Sequence, residues 1–160
     1  MIGAKVKHPA LIYENYEEDK IVIVGLPSHP SVKRKKTGFE NLLREPWIIR
    51  EEGSGTQMMV EKALRKKGKS LKQFNAAIEM GSTSSLKEGV KAGLGLAFVS
   101  QKAVEEELRQ GLLSQIEVEG FEPISRQIYL VFHRGRTLSP IGINFLQYLK
   151  KRKNENPHPP

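Results

Sequence analysis

Residues 79–100, EMGSTSSLKEGVKAGLGLAFVS, constrain the fold more than any other part of this chain. Their apolar spacing changes twice. They give the end of a strand, a helix opened by Gly81-Ser82-Thr83-Ser84, and a buried strand entered through Gly93 and Gly95. Serine and threonine at a helix start accept bonds from free backbone N–H groups, and the remaining N–H groups and the positive end of the helix dipole form a seat for an anion. One residue suffices for capping. A glycine followed by Ser82, Thr83 and Ser84 therefore offers more hydroxyls than a cap needs.

The same grammar extends to both sides. Residues 47–50 read as a strand, and Gly53-Ser54-Gly55-Thr56 leads into a helix with Met59, Val60, Ala63 and Leu64 on its apolar face. Residues 74–79 are a strand, 84–92 a helix, 94–99 a strand and 102–110 a helix with Val104 and Leu108 inward. This βαβαβα order predicts an α/β fold with a parallel sheet and right-handed crossovers. Before it, residues 1–6 and 11–16 are short extended segments, 20–24 is a buried strand, a loop follows 26–30, and 39–44 can make one helical turn. After it come a short segment at 112–118, a strand at 126–132 and a helix from Pro140 with Ile141, Phe145 and Leu149 on one face, while 154–160 read as a disordered tail. In a parallel sheet, ligands sit beyond the carboxyl ends of the strands. The GSGT and GSTS turns should come out on one edge and give two sets of N–H and O–H donors to one oxyanion or carboxylate. The predicted binding residues are Ser54, Gly55, Thr56, Ser82, Thr83 and Ser84.

Catalytic motifs fail on context. Gly53-Ser54-Gly55 is not a nucleophile elbow, the GKS at 68–70 ends a helix and has Ala63 where a phosphate loop needs glycine, and the adjacent Glu51 and Glu52 point opposite ways in an extended chain. Binding without chemistry is expected. Zero cysteines and four scattered histidines predict no metal, and no cofactor is expected. The net charge of +8 favours anionic partners, yet its clusters at 33–36, 65–67 and 150–153 lack interleaved aromatics and any DNA-reading motif. Binding to DNA should be weak, blind to sequence and lost with salt. No apolar run approaches the roughly 18–20 residues of a membrane span, and the first residues lack a secretory core, so a cytoplasmic location is expected.

Three stretches then carry a resemblance: WIIREEGSGTQMMVEKAL, the run from Glu79 to Leu113, and RQIYLVFHRGRTLSPIGINFLQYL, with DKIVIVGLPSHP also fitting. The sequence resembles the effector-binding domain of LysR-type transcriptional regulators. R-E-x-G-S-G-T at 50–56 and V-x-A-G-x-G-x-x-x-x-S at 90–100 are its most specific parts. The resemblance implies a type II periplasmic-binding-protein-like fold, with two α/β lobes of mainly parallel sheet joined by crossovers near 44–47 and 123–127. It assigns 1–43 and 128–153 to lobe one and 44–127 to lobe two. A small anionic effector in the interlobe cleft, a homo-oligomer, and DNA contact only through a helix-turn-helix domain absent from this chain are what it implies for partners. Lobe one is expected to be incomplete at its start. The association surface is expected on the helix at 54–67, where Met58 and Met59 give adaptable apolar surface, and on the strand leading out of Phe74. The competing reading is a solute-binding protein on the same fold.

Overall fold

The first strand is longer than the sequence suggests. In the computed structural model, which describes residues 2, 3, 5, 8–34 and 36–155, β1 runs unbroken over Leu11–Gly25. The acidic stretch Glu17-Glu18-Asp19 holds neither glycine nor proline to turn the chain, so the two expected segments fuse. Next come α1 (Pro30–Lys33), α2 (Phe39–Leu43), β2 (Pro46–Arg50), α3 (Gly55–Arg65), β3 (Asn75–Met80), α4 (Thr83–Lys91) and β4 (Leu96–Ser100). The chain continues through α5 (Glu105–Arg109), β5 (Ser114–Ile116), β6 (Ile124–His133) and α6 (Pro140–Glu155). The expected loop after residue 30 is instead a helical turn, started by Pro30 and capped by His29, whose Nδ1 accepts the Ser31 N–H at 3.1 Å.

The sheet order is β3-β2-β4-β1-β5, and β6 pairs with β1. β2 lies parallel to β3 and to β4, as the βαβαβ pattern requires, while β1 is antiparallel to β4 and β5. The sheet is therefore mixed. The chain forms two compact units, one of residues up to Glu18 and from Gln127 onward, the other Asp19–Arg126. The first division falls at Glu18/Asp19, just before β1 begins to pair with β4 at Ile21. The second falls at Arg126/Gln127.

Strand alternation builds two cores in the second unit. Ile21, Ile23, Trp47, Leu96 and Phe98 meet Val60 and Leu64 of α3 and Phe39 and Leu42 of α2. On the other face Val22, Val24, Ile48, Ala97 and Val99 meet Leu86 and Val90 of α4. α3 and α4 thus cover opposite faces. β2 and β4 approach closely where Gly95 enters β4, since a Cβ there would lie 2.5 Å from the Pro46 carbonyl oxygen. Gly95→Ala should lower stability by about 1–3 kcal/mol in urea unfolding, while Gly111→Ser, which meets no neighbouring atom, should show only the smaller cost of its positive φ.

An ion pair joins α4 to α5. Lys87 Nζ lies 2.6 Å from Glu107 Oε1 and also donates to the Ala103 carbonyl at 3.0 Å. Its hydrogen bond holds the Glu107 carboxyl below the ordinary carboxylate range. A carboxyl depressed by folding contributes stability that is present above its unfolded pKa and is lost as pH falls through its lower folded value. Glu107→Gln should therefore cost stability at neutral pH and little below the carboxylate range, as melting curves across acid pH would show.

In the first unit, Tyr16, Leu130 and Leu149 form the buried cluster, with Leu146 packed against it. Leu149 is buried as expected, but Ile141 is 81% and Phe145 56% exposed. At about 100° per residue, the stripe of Leu146 and Leu149 turns Ile141 away from Tyr16 and Leu130. Helix α6 reaches Glu155, so Asn154 and Glu155, expected in the tail, are helical, and 156–160 lie outside the described residues.

Candidate functional site

The two hydroxyl-rich turns open on one edge of the second unit's sheet. Strands β2 and β3 are parallel, and Arg50 at the end of β2 is in register with Met80 at the end of β3. After β2, Gly53 at φ 87° takes the left-handed conformation that turns the chain into α3. Ser54 occupies the N-cap position and is 7% exposed, yet its hydroxyl accepts no bond from the helix. Gly55 opens α3, and Thr56 follows it, half-buried. The first N–H groups of a helix have no intrahelical acceptor, so α3 presents them uncapped by side chain.

After β3, Ser82 caps α4 by accepting the Ser85 N–H at 3.0 Å, and the two hydroxyls lie 2.6 Å apart. Ser82 is thus engaged locally. Thr83 is half-buried and Ser84 exposed. The six predicted residues fall at two helix starts flanking one sheet edge, Ser82 as a true cap and Ser54 without that role.

Two arginines complete the geometry, and the sequence reading did not assign them. Arg126, at the start of β6, donates from Nη1 to Thr56 Oγ1 at 3.1 Å, while its Nε and Nη2 lie 2.8 and 2.7 Å from Asp19 Oδ2. This ion pair is buried, with the Arg126 side chain 10% and the Asp19 side chain 2% exposed. Asp19 Oδ1 is buried and has no hydrogen-bond partner. Arg50 repeats the pattern. Its Nη1 donates to Thr83 Oγ1 at 2.9 Å, and its Nε and Nη2 grip the two Glu51 oxygens at 2.7 and 2.8 Å. Those hydrogen bonds hold the Glu51 carboxyl below the ordinary carboxylate range. Arg50 stands in the R-E-x-G-S-G-T motif and was legible there; Arg126 is 70 residues from Thr56 and carried no local mark.

A cavity of about 10 Å³, room for about one water, lies beside the first turn against Arg50, Thr56 and Gln57. A larger one of about 210 Å³ lies along Ile21–Ile23 beside Lys36, Glu117 and Glu122, and none of the turn residues line it. Anion chemistry favours the turns, because the larger cavity sets two carboxylates against one lysine. Among the described residues no cluster of three or more metal-ligating side chains occurs, and no helix is long and apolar enough to cross a membrane.

The family model for the LysR substrate binding domain matches residues 1–154. The chain belongs to this family. It is similar to the HTH-type transcriptional activator CmpR of Synechocystis sp. (34% identical over 135 residues, 84% of this chain and 43% of the relative). It is also similar to the RuBisCO operon transcriptional regulator of Allochromatium vinosum (31% over 149 residues, 93% and 48%). The chain thus spans under half the length of these regulators. Among solved structures, the Synechocystis PCC6803 CcmR regulatory domain in complex with 2-PG superposes with a TM-score of 0.79 at 25% identity, covering 94% of this chain and 71% of that one. The effector-binding domain of QuiR in complex with shikimate gives 0.76 at 12% identity, covering 96% and 70%, a likeness of fold. The LysR substrate-binding fold is the type II periplasmic-binding-protein-like one, here with a mixed sheet.

Proposed function

We propose that this LysR substrate-binding domain is the effector-sensing part of a transcriptional regulator, and that a small anion, an oxyanion or a carboxylate, binds at Ser54, Gly55, Thr56, Ser82, Thr83 and Ser84. The observation that carries this reading is the donor set on one sheet edge: the uncapped start of α3, the start of α4, and threonines held by Arg50 and Arg126. The 2-PG and shikimate named with CcmR and QuiR support a small-molecule effector. The role is binding and not chemistry, because the guanidinium groups bonded to Thr56 and Thr83 cannot accept their protons as a general base does. The solute-binding alternative is disfavoured by relatives that are regulators.

On this reading DNA is contacted through a helix-turn-helix domain outside this chain, in the cytoplasm, and the regulator works as a homo-oligomer. Met58, 48% exposed on α3, offers apolar surface for that association, while Met59 packs into the core. Calorimetric titration with phosphate, sulfate, 2-PG and shikimate tests the effector site. Saturable binding of at least one is expected, weakened about tenfold by Thr56→Val, the loss of one charge-assisted hydrogen bond. Silence from the whole panel would remove the proposal.

A further inference from the structure

We propose that Arg50 and Arg126 are positioning residues that set the polarity of the effector site, each occupying a lone pair of a threonine hydroxyl and so directing its hydrogen toward the bound anion. This rests on the effector-site reading above and specifies which ligands that site accepts. A free hydroxyl can give or take a hydrogen bond, and it rotates to suit its partner. A guanidinium can only give. In the bonds from Arg126 Nη1 to Thr56 Oγ1 and from Arg50 Nη1 to Thr83 Oγ1, the threonine oxygen must therefore be the acceptor. Its own hydrogen is left for something else, and among the described residues neither hydroxyl donates it.

The carboxylate behind each arginine explains why the guanidinium acts through the threonine. Asp19 takes Nε and Nη2 of Arg126, and Glu51 takes Nε and Nη2 of Arg50, so both planes are anchored and only Nη1 points to the hydroxyl. Each carboxylate also balances its arginine's charge. What the pair exports is therefore direction more than net charge, with hydroxyl hydrogens added to the free N–H groups of the helix starts. Ser54 supplies a further, independent sign of an outside ligand: it is 7% exposed at the N-cap position, and its hydroxyl makes no cap. A site lined this way favours acceptor-only groups, such as an ionised carboxylate, sulfate or phosphate, over protonated acids, amides and alcohols that bring a donor of their own.

The Arg50–Thr83 arm is the one to test, because Glu51 is 35% exposed and tolerates losing its partner, whereas Asp19 is buried. Inorganic phosphate is titrated calorimetrically into the chain and into Arg50→Met, Thr83→Val, the double variant and Arg50→Lys. Arg50→Met and Thr83→Val should each weaken binding about tenfold, and the double variant should be no weaker than either, because both remove one shared interaction. Arg50→Lys, which can still donate to Thr83, should recover most of the affinity. Additive losses of about a hundredfold would place Arg50 on the anion directly and overturn the relay. So would an Arg50→Met that binds like the unaltered chain. A Thr83→Val without effect, on a chain that binds phosphate, would instead overturn the placement of the effector at this turn. No phosphate binding by the unaltered chain would overturn both.

Discussion

Replacing Trp47 with alanine is expected to lower the stability of the second unit by about 3–5 kcal/mol. Its side chain is fully buried, stacked on Phe98 with ring centroids 4.8 Å apart and meeting Phe74 edge-on at 4.8 Å. Removing the indole forfeits its transfer free energy and leaves a void that a sheet held on both faces cannot close. Its Nε1 also donates to the Leu42 carbonyl at 2.7 Å, tying α2 to β2. Trp47→Phe separates the two contributions: most of the ring remains while the Leu42 carbonyl keeps its backbone donor, the Glu45 N–H at 3.2 Å, and loses one hydrogen bond, at about 0.5–1.5 kcal/mol. Urea unfolding followed by circular dichroism measures both, since the chain's one tryptophan is the residue removed. Because Trp47 and Arg50 share β2, the alanine variant should also bind anions less well. A loss under about 1 kcal/mol would contradict the packing described for this strand.

What the sequence made legible was local. Each turn of the βαβαβ stretch is marked by glycine and hydroxyl residues within a few positions of the apolar runs they separate, so β2, α3, β3, α4 and β4 were found within a few residues of their ends. The shared edge of the GSGT and GSTS turns followed from parallel pairing, and the Arg50–Met80 register agrees with it. Strand direction was not legible for β1 and β5, because alternating side chains read the same in either sense. Nor was the α6 face, where Ile141, Phe145 and Leu149 fit one helical stripe but Leu146 and Leu149 meet Tyr16 and Leu130. Arg126 and Asp19 stand 107 residues apart, and nothing local to an arginine at a strand start announces a buried partner. The hydroxyls of the two turns could be read from spacing; the bonds that Arg50 and Arg126 give to Thr83 and Thr56 depend on tertiary contact.

That buried pair carries the other large effect. Asp19→Ala is expected to cost about 3–5 kcal/mol, because it leaves the Arg126 guanidinium, 10% exposed, without its counter-charge. The cost lies in the stranded charge more than in the lost attraction. Removing both charges in Asp19→Leu with Arg126→Met should therefore recover most of the stability, since apolar side chains of similar size replace a buried ion pair with little penalty. Trp47 fluorescence in urea reads this out within the unit that contains the pair. Anion binding should part company with stability in the double variant: the fold returns, but Thr56 no longer receives its hydrogen bond from Arg126 Nη1 at 3.1 Å and its hydroxyl is free to turn. Phosphate affinity should stay about tenfold below that of the unaltered chain. A double variant as unstable as Asp19→Ala would show that the pair is held for its mutual attraction, and one that bound phosphate normally would remove Arg126 from the effector site.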